Sequence, residues 1–299
     1  MTARTGDGGE PGGPSELRRA GGDWREENIA RWHSAAPGWK ATREIFQRIA
    51  LPVSQWMVEA IHPQPGYRVL ELAAGLGDTG LLAAELVQPG GSVIITDAAE
   101  GMVQAAGEHA KEVGASNVEV RAMQAEWIDL PAASVDGVLC RFGYMLLADP
   151  EAALRETRRV LKSGGRVALA VWDLPEHNPW TSVFRAAAES VGISSPPAPN
   201  QSGQFALSAP GALEEVLETA GFEDVEVEGI DLEFEAESLD AWWDFVMQTS
   251  PTAIEQVRGL APADHYKLRD AVDAGYAGYV RDDGSLLLPA RALVAAATA

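Results

Sequence analysis

The stretch Val69-Leu-Glu-Leu-Ala-Ala-Gly-Leu-Gly-Asp-Thr-Gly80 decides how the rest of the chain is read. An apolar run of strand character gives way to small residues and then to Gly75, Gly77 and Gly80, spaced as G-x-G-x-x-G. The helical segment LLAAELV follows. Glycines between a strand and a helix let the backbone turn tightly and approach a ligand, although the string alone is weak evidence. Asp97 sharpens it. This residue ends the next strand, SVIITD, roughly 20 residues beyond Gly75, where a carboxylate can accept hydrogen bonds from both hydroxyls of an adenosine ribose. The competing account is a plain strand-to-helix turn in which Asp97 caps the helix that begins near Ala98.

The same grammar repeats outward. After SVIITD come the helical AEGMVQAAGEHAKEVG, the strands VEVRAMQ and SVDGVLCRF, the helix DPEAALRETRRVLKSGG and the strand RVALAVW. Nearly continuous Val/Ile/Leu strands alternating with helices are what a parallel sheet covered on both faces requires, so the fold class expected is α/β and Rossmann-like. On the amino-terminal side, residues 24–61 carry apolar residues at helical spacing, with Pro37 and Pro52 as expected breaks between two or three short helices. On the carboxyl-terminal side come helices, a Pro/Ser-rich loop (ISSPPAPNQSG), an alternating strand (EDVEVEGIDLEFE) and a final SLLLPARALVAAATA that reads as strand or helix. The organisation expected is a disordered tail over 1–22, a helical cap over 23–63, a nucleoside-binding core over 64–175, and remaining core strands with helical insertions over 176–299.

Composition narrows the function. With 46% hydrophobic and 22% charged residues, 299 residues can bury a large core without staples. A formal net charge of -21 opposes binding to nucleic acid or to acidic lipid headgroups. Cys140 is the single cysteine, which leaves no intrachain disulfide, and no metal site is expected. No apolar run approaches a membrane span and no signal segment is seen, so a soluble, cytoplasmic protein is expected.

The acids around the loop choose between cofactors. A dinucleotide brings a pyrophosphate to the helix amino terminus, where Asp78 would oppose it. Glu71 and Asp78 suit a cationic, phosphate-free adenosine ligand better, and S-adenosylmethionine answers that description.

At this point the residues resemble a known family. Glu71-Leu-Ala-Ala-Gly75-Leu-Gly77, Asp97 with Met102, MQAEWIDLP (Met123 to Pro131), SVDGVLCRFGYMLLADP (Ser134 to Pro150) and RRVLKSGGRVALAVW (Arg158 to Trp172) look like the motifs of class I S-adenosylmethionine-dependent methyltransferases, in the small-molecule branch with the ubiquinone/menaquinone-type enzymes. The resemblance implies a seven-stranded, mostly parallel sheet whose last strand is antiparallel, with helices on both faces and a helical lid from the amino terminus and the carboxyl-terminal insertions. It implies backbone contacts to the cofactor from Ala73, Gly75 and Gly77, with Glu71 beside the cationic portion. Asp97 would bind the ribose, and Ala98 and Met102 would pack on the adenine. Where relatives carry Asp-Ala, this chain has Gln124-Ala125, followed by Glu126. Gln124 would meet the adenine amino group through its side-chain oxygen. Arg141 and Phe142 would line the methyl-bearing end.

Methyl transfer from a sulfonium is an in-line displacement in which the protein mainly aligns and desolvates the acceptor. Where a general base is needed, His33 and His177 are the candidates: His33 sits on the amino-terminal helices and His177 follows the fifth strand, two places from which the resemblance implies cover over the substrate pocket. Trp32, Trp39 and Trp172 are the expected substrate and lid residues, pointing to an apolar or aromatic methyl acceptor. The partner expected is that small molecule, with no nucleic acid and no membrane, and a homodimer stays open. S-adenosylhomocysteine would be the product. Two other readings compete: an NAD(P)-dependent oxidoreductase and a binding protein that keeps the fold without transfer. The short-chain dehydrogenase pair Tyr-x-x-x-Lys is absent, since none of Lys40, Lys111, Lys162 and Lys267 follows a tyrosine by four.

Overall fold

The computed structural model describes residues 14–194 and 202–299. Its strands form one seven-stranded sheet in the order β3-β2-β1-β4-β5-β7-β6. These are β1 (Arg68–Glu71), β2 (Ser92–Asp97), β3 (Val118–Ala122), β4 (Val135–Arg141), β5 (Leu161–Trp172), β6 (Glu223–Ala236) and β7 (Leu286–Thr298). β1 to β5 pair in parallel, and β7 runs antiparallel to both β5 and β6. The helices are α1 (Pro14–Ala60), α2 (Asp78–Leu86), α3 (Glu100–Glu112), α4 (Pro150–Val160), α5 (Pro179–Ser190), α6 (Ala212–Thr219), α7 (Leu239–Thr249), α8 (Pro251–Val257) and α9 (Pro262–Tyr276). The strand order reverses between β1 and β4. In sheets of this kind the crevice outside the carboxyl ends at the reversal takes the ligand.

The doubtful carboxyl terminus is a strand. Ala292 and Ala295 to Ala297 are fully buried between β5 and β6, where a central position flanked on both edges overrides the weak strand preference of alanine. β6 closes the sheet as an edge, and Glu226, Glu228, Glu233 and Glu235 are exposed along it. Such charges deter a second chain from pairing there, which gives part of the acidic excess a structural role.

The amino-terminal region departs from expectation. α1 is one element that carries Pro37 and Pro52 inside it, rather than two or three short helices. Each proline costs a helix interior about 3 kcal/mol, and burial of Ala35, Ala36, Ala50, Val53, Met57 and Val58 offsets that cost. Pro37 also leaves the His33 carbonyl without its helical donor. Gly101 of α3 packs so close that a Cβ there would lie 2.8 Å from that oxygen. The expected tail lies outside the described residues as far as residue 13, and residues 14–22 open α1. Residues 195–201 of the Pro/Ser-rich loop also lie outside the described residues. Leu161 to Gly165, expected at the end of a helix, belong to β5 instead: α4 stops at Val160, and Leu161 already pairs with Val135.

Candidate functional site

Two strained residues mark the crevice. Ala73, just past β1, has φ 48°, and Phe142, just past β4, has φ 60°. Non-glycine residues in this left-handed region cost on the order of 1 kcal/mol and cluster at functional sites. Gly143 is required between them, since a Cβ there would lie 2.6 Å from both the Ala73 Cβ and the Cys140 Sγ.

Asp97 organises the loop. Its Oδ2 accepts from the Gly75 amide and its Oδ1 from the Ala99 amide, each at 2.9 Å. Burial pushes its carboxyl up to about 6, and the amide bonds oppose that rise. A carboxylate has acceptor capacity beyond these bonds, and Asp97 lines a cavity of about 440 Å³ together with Ala73, Gly75, Ala98 and Met102. Gln124 and Ala125 line the same end, and the Gln124 Oε1 is buried without a hydrogen-bond partner. An orphaned buried acceptor costs about 1 to 3 kcal/mol until a donor reaches it, and an adenine amino group is such a donor. The residues present therefore fit an adenosine cofactor.

The other end of the cavity is aromatic. Phe142 stacks on Trp172 with ring centroids 4.1 Å apart, and Trp172 meets Trp180 at 4.9 Å. Across from them, Trp32, Trp39 and Phe46 of α1 form an edge-to-face series at 5.8 and 4.7 Å. Trp39 is fixed by its Nε1, which donates to the Thr249 carbonyl at 2.8 Å. Trp32 and Trp39 thus line the cavity from α1, as Trp172 does from the sheet. Phe46 was missed from sequence, as were Arg25 and Phe245. The signal for the α1 residues is the interval of seven from Arg25 through Trp32 and Trp39 to Phe46, which places all four on one helix face, and an expected break at Pro37 hides it.

Several expected site residues stand elsewhere. Glu71 does not line the cavity. It lies behind the loop, where its Oε2 accepts from the Gly80 amide at 2.9 Å. A Cβ on Gly80 would come within 2.4 Å of that oxygen, so this glycine answers to Glu71. His33 is not in the cavity wall. Its Nδ1 accepts from the Gly101 amide at 3.1 Å and so caps α3. His177 is also outside. Its Nδ1 lies 2.8 Å from Asp173, whose Oδ2 is in turn 3.2 Å from the Arg291 Nε. Among the described residues lining the cavity there is no His, Lys, Tyr or Cys. Glu126 reaches the wall, but its carboxylate pairs with Arg25 of α1 at 3.3 Å. The same guanidinium lies 4.6 Å from the ring centroid of Trp127, which is 59% exposed and outside the cavity. Arg141 lines the cavity, donates from Nη1 to the Ser54 hydroxyl at 2.8 Å, and approaches the Asp78 Oδ2 at 3.5 Å.

A glycine loop bonded to a buried acid, an orphaned buried acceptor and an adjoining aromatic chamber fit a transferase that uses a nucleoside cofactor. The comparisons with known proteins make this specific. The family described as "Methyltransferase domain" matches residues 72–169. Nocamycin O-methyltransferase of Saccharothrix syringae is 32% identical over 199 residues, 64% of this chain and 71% of that protein. The ubiquinone/menaquinone biosynthesis C-methyltransferase UbiE of Shewanella oneidensis is 30% identical over 131 residues, 44% of this chain and 52% of the relative. The chain thus spans about half the length of that second relative. A solved structure of a putative methyltransferase from Bacillus halodurans shares the fold with a TM-score of 0.57 and 20% identity, over 82% of this chain and 97% of that one. The chain belongs to the S-adenosylmethionine-dependent methyltransferase family, and its cofactor is S-adenosylmethionine. The oxidoreductase alternative finds no support among them.

Arg25 ties α1 to Glu126 and Trp127 and is expected to act as a latch there. Arg25→Ala is expected to speed S-adenosylhomocysteine release by about 2- to 5-fold, since a partly buried ion pair with a cation-π contact contributes about 0.5 to 1 kcal/mol. Stopped-flow dissociation measures this, and an unchanged rate would remove the latch.

Proposed function

We propose that this methyltransferase acts on a small apolar or aromatic acceptor held in the aromatic half of the cavity, with residues 23–63 and the helices between β5 and β7 as its cap. The wall of Phe142 stacked on Trp172, with Trp180 tilted against it, carries this reading, because it lines the same cavity as Asp97 and Gln124. Flat rings stack on such a wall, and the bound cofactor supplies the electrophilic methyl. The protein's part is to align the acceptor and keep water out. Transfer to oxygen has the support of the relative named as an O-methyltransferase. The cytoplasm as location, and the absence of a nucleic-acid partner, rest on the single cysteine and on the net charge of -21. Among the described residues, no helix is long and apolar enough to cross a membrane.

Trp172→Phe removes one ring of the wall and tests the reading. It is expected to raise KM for aromatic acceptors about 5- to 10-fold while the S-adenosylhomocysteine Kd, by calorimetry, stays within about 2-fold. Cofactor binding without turnover across a panel of phenols, enols, carboxylic acids and amines would instead favour a binding protein of the same fold.

A further inference from the structure

Deprotonation of the acceptor has no histidine, lysine, tyrosine or cysteine to carry it among the described cavity residues, which leaves three carboxylates: Asp78, Asp97 and Glu126. Asp97 is committed to the Gly75 and Ala99 amides, and Glu126 to Arg25. Asp78 is different. It is 8% exposed, and its Oδ1 is buried with no hydrogen-bond partner. Its Oδ2 faces Arg141 at 3.5 Å, and that guanidinium lies 5.7 Å from the ring centroid of Phe46 in the aromatic chamber.

Asp78 also belongs to a second cavity of about 280 Å³, lined with Gln47, Ser54, His109 and Asn117 between α1, α2 and α3. It is therefore the shared wall of the two. His109 stands on the far side, its Nδ1 3.0 Å from the Leu76 carbonyl and 3.7 Å from the Asp78 Oδ1. A carbonyl only accepts, so Nδ1 carries the hydrogen. The charged and titratable groups facing Asp78 are thus Arg141 from β4, His109 from α3 and the buried Glu71 behind the loop.

Resting on the methyl-transfer reading above, we propose that Asp78 is the general base for an acceptor with an acidic O–H, a phenol, enol or carboxylic acid, and that the second cavity is the route by which the proton leaves. The acceptor O–H bond breaks and its proton passes to an Asp78 oxygen. The oxygen lone pair forms the new bond to the methyl carbon as the methyl–sulfur bond breaks, leaving its electron pair on a neutral thioether. Asp78 then releases the proton to solvent water in the second cavity. Arg141, held by Ser54, stabilises the negative charge on either oxygen while the proton moves.

The test uses ring-substituted phenols whose acidity runs from mostly un-ionised to fully ionised at the assay pH. With Asp78→Asn, kcat is expected to fall at least 100-fold for the un-ionised phenols and less than about 5-fold for the ionised ones, while the S-adenosylhomocysteine Kd and Tm stay near wild type. Formate is expected to restore turnover to Asp78→Ala, and Gln47→Trp, which fills the second cavity, to slow the un-ionised phenols alone. Equal losses for both phenol classes, or no rescue by formate, overturn the role of Asp78. Turnover of amines with no hydroxyl or carboxyl acceptor overturns the substrate class. A wild type that binds S-adenosylhomocysteine but methylates nothing overturns the methyl-transfer reading itself.

Discussion

Replacing Asp97 with alanine is expected to weaken S-adenosylhomocysteine binding by roughly 10- to 150-fold, or about 1.5 to 3 kcal/mol, the range for hydrogen bonds to a charged acceptor. Two losses combine. The ribose hydroxyls lose the oxygens that face the cavity, and the Gly75 and Ala99 amides lose their acceptors, so the loop that shapes the site relaxes. Asp97→Asn keeps an oxygen for one amide and is expected to fall between wild type and alanine. The pH dependence gives a second check. Burial holds the Asp97 carboxyl near 6, so it is ionised and fully accepting above that pH. Affinity is therefore expected to be level above pH 7 and to weaken as pH falls through 6, approaching tenfold per unit below it, with no such slope in the asparagine variant. Calorimetry from pH 5 to 8 measures both effects. A wild-type affinity without that slope would separate Asp97 from the ribose.

Asp97 is readable from sequence because its role depends on local order: a strand ends, a helix begins, and the acid sits between them at a fixed distance from the glycines. Ala98 after β2, Met102 in the first turn of α3 and Gln124 after β3 came instead with the family resemblance, and they line the same cavity. The misplacements share a different cause. Glu71 and Asp78 both looked like groups around a cation, but a strand alternates its side chains between faces, and that alternation turned Glu71 behind the loop toward Gly80. His33 and His177 were chosen for lying in segments over the pocket. Their orientation was set by contacts with α3 and with Asp173, which no local pattern announces. Continuity of α1 was hidden because the proline penalty is local whereas the compensating burial comes from distant elements. The aromatic face of α1 was lost with it.

Glu71→Gln is expected to stabilise the protein at neutral and alkaline pH. Glu71 is buried at the end of β1, and burial pushes its carboxyl up to about 8, against the opposing pull of Arg141 and of the Gly80 amide. In the unfolded chain the same group titrates near 4.3. Between these values the folded state holds a proton that the unfolded state has released, so its stabilising contribution is complete at low pH. It is lost as pH rises through the folded value, at up to about 1.4 kcal/mol per unit. The whole span amounts to roughly 3 to 5 kcal/mol. Glutamine does not titrate, and its side-chain oxygen still accepts from the Gly80 amide, so the variant lacks this term. Thermal melts at pH 5, 7 and 9 are expected to show near-equal midpoints at pH 5 and a glutamine variant about 5 to 15 °C higher at pH 9. Because Glu71 does not line the cavity, S-adenosylhomocysteine affinity is expected to change by less than about 3-fold. A large loss of affinity would return Glu71 to the cofactor's cationic end. Identical stability profiles would mean that the carboxyl finds water or a counter-ion behind the loop and remains ionised there.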